Sequence, residues 1–281
     1  MRPRMSRLDR TTRLFWRFSG RPVDLAGAHR WLDAPMHDSP RIGEGWLPES
    51  AAGDGALREG SAAGLLADFS HLDGPGFRAS DLHRSIRDFY ERTSAWGMEV
   101  WTQWHPLFQP AGELVSRLFG RRVQQLALPT RPLEVARGMD SKVVPIIGPG
   151  GDQQAAGWIR KLRSTGEYVF SGRYSTRVLP DAESPSVHVT FPLESGNLQV
   201  FLRPTALSDG SLELRSPAGG FGDNGAYVVV EDGGRAFAAR VPLHEVFHVH
   251  LDERATLRTD HRLSLWSAPV VRLHYKLFEN P

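Results

Sequence analysis

From about residue 158 onward, apolar and polar residues alternate in short bursts separated by turn residues. A period of two over four to eight residues predicts strands. The bursts are Glu167–Arg173, Ser186–Phe191, Leu198–Arg203, Ser211–Arg215, Ala226–Glu231, Ala236–Val241, Leu243–Leu251, Thr256–Trp266 and Val270–Phe278. Hairpin chemistry stands between several of them, as in Glu194-Ser195-Gly196-Asn197, Ser208-Asp209-Gly210 and Asp232-Gly233-Gly234. The gaps are too short for helical crossovers, so these strands are expected to pair antiparallel.

The period changes in residues 79–128. Leu82, Ile86, Phe89, Tyr90, Thr93, Trp96, Val100, Trp101 and Trp104 recur at spacings of three and four, which predicts a helix over about 80–103 with Ser80 as its cap. A second helix is expected from Pro110 to Gly120, giving a helical pair packed on the sheet. Residues 129–157 read as a Gly/Pro-bearing connector, with a helix starting at Gln153. Residues 1–78 form an irregular, Arg-rich N-terminal region with little periodicity. The expected fold class is α+β. An N-terminal irregular and helical region precedes a C-terminal antiparallel β-barrel or strongly curved sheet of about eight to nine strands, over 158–281.

Composition narrows the chemistry. The chain has 281 residues, a formal charge of +2 and no cysteine. Disulfide frameworks, thiolate catalysis and Cys-ligated metals are therefore excluded. Arginines supply 31 of the 34 basic residues, and they cluster only near the N-terminus, from Arg2 to Arg17. No basic stripe runs along the rest, so nucleic acid is not the favoured partner. No apolar run reaches the ~18 residues of a transmembrane helix. Leu14-Phe15-Trp16 is too short for a secretory core, so a cytoplasmic location is expected. Peripheral membrane contact through the tryptophan-rich segment is the alternative. No cofactor is expected.

His244-Glu245-Val246-Phe247-His248 matches the H-E-x-x-H pattern of zinc peptidases. That pattern works on a helix, where residues four apart project together. Here Phe247, Val249 and Leu251 alternate with His248 and His250, which is strand periodicity. At ~3.3 Å per residue, His244 and His248 stand about 13 Å apart. A hairpin pairing Leu251 with Leu257 then gives one nearly apolar face. Its polar members are Glu245, Thr259 and His261, with Glu245 diagonal to His261. A carboxylate and an imidazole facing inward must pair or line a cavity. Ile146–Gly151 is a weaker motif, a glycine loop lacking the third glycine of a dinucleotide site.

The function expected from these features is binding of a hydrophobic small molecule or lipid in a cavity between barrel and helices. The expected ligand contacts are Glu245, His261, Arg173, Tyr174, Trp101 and Trp104. Three alternatives remain open: a metal-dependent hydrolase using His244, Glu245 and His248, an acid–base catalyst using Glu245 and His261, or a structural protein with a filled core. The sequence does not decide whether the chain is an enzyme.

Overall fold

Period-two alternation becomes a 14-stranded antiparallel sheet in the computed structural model, which describes residues 15–37, 43–51, 56–58, 60, 62–105, 138–163 and 165–280. The strands are β1 (Arg21–Val23), β2 (Ala56–Leu57), β3 (Trp96–Trp104), β4 (Met139–Ile147), β5 (Gln153–Leu162), β6 (Tyr168–Arg177) and β7 (Ser186–Leu193). They continue with β8 (Gly196–Ala206), β9 (Leu212–Arg215), β10 (Gly225–Asp232), β11 (Arg235–Val241), β12 (Leu243–Leu251), β13 (Leu257–Leu265) and β14 (Ala268–Glu279). Each of the nine strands read from the alternation is present.

Neighbours run β2-β4-β5-β6-β7-β8-β9-β12-β13-β14-β3. β8 is the corner. Its first half pairs with β7 on one side and β10 on the other, and its second half, from Arg203, pairs with β9. β10, β11 and β1 form a side branch. β3 curls back beside β4, but no ladder joins them among the described residues. The sheet is strongly curved and not closed, with more strands than the eight or nine expected.

Three expectations need correction. The protein is mostly antiparallel sheet with few helices, rather than α+β. The helix expected over 80–103 is only Arg84–Glu91, and Trp96–Trp104 is strand β3. The three-and-four spacing had joined aromatic residues from both faces of a strand. Trp96, Met98 and Val100 point inward, while Trp101 is 48% exposed on the other side. The described part of the connector is the β4–β5 hairpin, with Gly148–Gly151 as its turn. Gly148 N–H donates to the Asp152 carbonyl at 2.9 Å, and Gly151 takes a positive φ of 84°. This is turn chemistry rather than a phosphate cradle. β5 escaped notice because both its faces are covered, which removes the alternation. Ala156 and Leu162 join the inner core, and Ala155 and Ile159 pack outward against Trp46 and Leu47. The helix expected over 110–120 lies outside the described residues.

Within the irregular N-terminal region, the segments around Trp31 and Trp46 cover the outer face of the first half of the sheet, while Leu65, Phe69, Leu72 and Phe77 join the inner core. Trp31 and Leu32 pack on Phe201, Tyr227 and Val229. Beneath the two covering segments runs a buried polar seam. Trp46 Nε1 donates to Ser171 Oγ at 2.9 Å, and Ser171 Oγ donates to the Gly43 carbonyl. Ser175 Oγ lies 3.3 Å from His188 Nδ1, and His188 Nε2 donates to Gln199 Oε1 at 2.8 Å. Gln199 Nε2 donates onward to the Leu32 carbonyl (2.7 Å) and Asn197 Oδ1 (2.8 Å). Burial holds the His188 imidazole well below its usual pKa, with Arg177 and Arg173 adding to the effect, so it is neutral. The ring lies flat on Phe201, with centroids 4.3 Å apart.

Gln199 therefore satisfies three buried groups at once. Gln199→Ala is expected to lower unfolding free energy by about 3 kcal/mol, because buried partners lose their bonds. The check is a urea titration against Asp140→Ala. That variant removes the exposed Arg163–Asp140 pair and should cost under about 0.5 kcal/mol.

Candidate functional site

The curled sheet lines a partly open cavity of about 140 Å³. Its walls are mainly apolar, with Met98, Val100, Phe170, Val200, Leu214 and Leu273 among them. Phe89 and Tyr90 from the helix Arg84–Glu91 close one side. The cavity is the space that the inward-pointing side chains of the curled sheet leave unfilled.

The β12–β13 register is the one expected, with Leu251 opposite Leu257 and Phe247 opposite His261. It sets Glu245 and His261 diagonally on the inner face, where both line the cavity. His261 Nε2 and Glu245 Oε2 are 3.7 Å apart, too far for a hydrogen bond. The His261 ring stacks on Phe247, with centroids 3.8 Å apart and planes 14° from parallel. Neither of its ring nitrogens has a hydrogen-bond partner. Ser216 fixes the Glu245 backbone from both sides: its Oγ accepts from Glu245 N–H at 2.7 Å, and its N–H donates to the Glu245 carbonyl at 2.9 Å. Burial pushes the Glu245 carboxyl up to about 7 and the His261 imidazole down to about 3. At neutral pH His261 is uncharged and Glu245 is divided between its two forms.

Sequence reasoning missed Arg160 and Tyr275, which also line the cavity. Arg160 is 5% exposed. Its guanidinium lies 5.3 Å from the Trp158 ring and 5.5 Å from the Tyr275 ring, and it donates to Met139 Sδ at 3.5 Å. Its Nε has no partner, and among the described residues no carboxylate pairs with it. An arginine in the inward row Ala156, Trp158, Arg160, Leu162 was the available clue, hidden by reading that stretch as a helix. On another wall, Tyr90 and Tyr174 are hydrogen-bonded, and burial holds both hydroxyls far above their usual pKa.

The remaining expected contacts divide. Tyr174 lines the cavity. Arg173, its strand neighbour, faces the opposite side with the polar seam, because successive residues alternate. Burial pulls Arg173 down to about 10, helped by Arg177 and opposed by Asp33. Trp101 is on the outer surface, and Trp104 packs against the core without lining the cavity. The His244–His248 segment is strand β12. His244 and His248 face outward while Glu245 faces inward, so the three cannot meet on one ion. His244 Nδ1 is instead 3.2 Å from the Ser216 carbonyl.

Comparison of the chain with protein-family models, curated proteins and solved structures finds no match. The arrangement of the site is therefore the ground for any assignment.

The two buried groups link stability to pH in opposite directions. Glu245, raised from 4.5 to about 7, contributes stability that is full below pH 4.5 and lost as pH rises through 7. His261, lowered from 6.5 to about 3, contributes stability present above pH 6.5 and lost as pH falls toward 3. Glu245→Gln removes the first dependence. Its stability relative to wild type should rise between pH 4.5 and 8, by on the order of 3 kcal/mol at 1.36 kcal/mol per unit. Thermal melts of both proteins across that range provide the check, and parallel curves would contradict the assignment.

Proposed function

We propose that the chain binds one compact hydrophobic molecule in the cavity, with a polar end directed at Arg160, His261 and Glu245. One observation carries the reading. A partly open, largely apolar space is lined by Arg160 and His261, whose buried Nε and two ring nitrogens have no partner among the described residues. Leaving such atoms unpaired costs about 1–3 kcal/mol each, and a ligand that pairs with them offsets this. The volume of about 140 Å³ is close to that of cavities that accept a benzene-sized molecule. It suits a compact molecule better than a long-chain lipid. A packed structural core is disfavoured by the same empty space.

The Glu245 carboxyl favours acid–base catalysis as a second reading. Being pushed up to about 7 lets it give or take a proton near neutral pH. The inner faces of β5, β12, β13 and β14 would then be both the binding site and the reacting site.

Native mass spectrometry of the purified chain should show a retained small molecule, and calorimetry with benzyl alcohol should give saturable binding. Val200→Phe fills the cavity at a cost of about 1–3 kcal/mol and should abolish both. A mass equal to the bare chain together with no saturable heat would count against binding. If Glu245 also acts on the molecule, Glu245→Gln should retain it unconverted.

A further inference from the structure

The outer face of the same sheet carries a second cluster. In a strand, residues two apart share a face, so β12 presents His248 and His250 side by side. Their rings stack at 4.6 Å with planes 17° apart. β13 places Asp260 directly opposite His248, and β14 places His274 directly opposite Asp260. One ligand atom from each of His248, His250 and Asp260 lies within 4.8 Å of the others.

The surrounding hydrogen bonds decide which atoms are free. Asp209 accepts from the Ser211 hydroxyl at 2.5 Å, and hydrogen bonds from Ser211 hold its carboxyl below the usual range. Ser211 has thus spent its proton, and its oxygen accepts from His248 Nε2 at 3.1 Å. His248 Nε2 carries the hydrogen and Nδ1 keeps a bare lone pair. His250 Nδ1 lies 3.4 Å from the His248 carbonyl, which can only accept, so His250 Nε2 is the bare nitrogen. Asp260 Oδ1 is taken by His274 Nδ1 at 2.5 Å, which leaves Oδ2. Each group is thus oriented by a second partner, as metal ligands are. Of the nearby cations, Arg258 is held by Asp252, Arg215 by Glu213 and Lys276 by Glu99, while Arg262 and Arg272 face each other one pair further along the same side.

We propose that His248, His250 and Asp260 bind one divalent transition-metal ion of the zinc class. Two imidazoles and one carboxylate form a borderline-soft donor set that favours such ions over calcium or magnesium. A tetrahedral ion with bonds of ~2.1 Å needs ligand atoms about 3.4 Å apart. The two stacked rings must also turn out of parallel so that both lone pairs meet at the ion, a rotation that this half-exposed face leaves room for. The site is separate from the cavity, so neither stands or falls with the other.

The test is calorimetry with zinc chloride alone on the full chain at pH 7.5, without a polyhistidine tag. The expected result is one ion per chain. His250→Ala and Asp260→Ala should each weaken binding at least tenfold, and His244→Ala should leave it unchanged. Cobalt(II) in place of zinc should give a visible ligand-field spectrum that His250→Ala removes. Circular dichroism confirms that the variants fold. A stoichiometry below about a tenth, or binding that survives both His250→Ala and Asp260→Ala, would overturn the proposal.

Discussion

A single sheet with an apolar inner face has only itself, one short helix and the segment 63–82, whose Leu65, Phe69 and Leu72 lie in the same core, to cover that face. It must curl, and everything else in this protein follows from that requirement. β8 makes the curl workable by changing partners along its length, from β7 and β10 to β9. Right-handed twist, accumulated over many strands, brings β3 back beside β4. Side chains on the inside of so wide a curve do not fill the space between them. The cavity is thus a geometric by-product of strand number and length, and the polar groups placed in it are what give it chemical character.

Those polar groups are incompletely paired within the protein. Glu245 and His261 stand too far apart to bond, and Arg160 is buried among Trp158 and Tyr275 without a counter-charge among the described residues. Leucine or methionine at these positions would be expected to stabilise the sheet. The seam on the opposite face behaves differently. Ser171, Ser175, His188, Asn197 and Gln199 are equally buried, yet they bond to one another or to the N-terminal segment. The same sheet therefore holds one polar row that is satisfied and structural, and one in which the His261 ring and the Arg160 Nε have no partner among the described residues.

The sequence revealed the second half of the molecule far better than the first. Strands β6 to β14 have one polar face or clear turn residues, so their alternation was visible. The register of β12 against β13 followed from segregation of Leu243, Phe247, Val249 and Leu251 from the four outward residues, because a one-residue slip would mix them. β3, β4 and β5 were hidden for a different reason. β4 and β5 are covered on both sides, and β3 carries aromatic residues on each face, so period two is erased. Glu245 and His261 could be read because they broke an apolar row. Arg160 breaks a row as well, but β5 is covered on both faces, so that row carries no period-two signal. The same logic separates the two metal readings of β12: spacing by four selects partners on a helix, whereas spacing by two does so on a strand.

The bond from Gln199 to the Leu32 carbonyl spans 167 positions in the chain, and Asn197 reaches the Ala34 carbonyl across 163. A ribosome delivers Leu32 and Trp46 long before the strands that receive them. Trp31, Leu32 and Trp46 must therefore wait uncovered until β6 to β8 have assembled. Non-local closures of this kind slow folding and leave apolar surface open to association in the meantime. The segment that carries Trp31, Leu32 and Trp46 is made before the strands that cover it, so its burial is tied to their assembly.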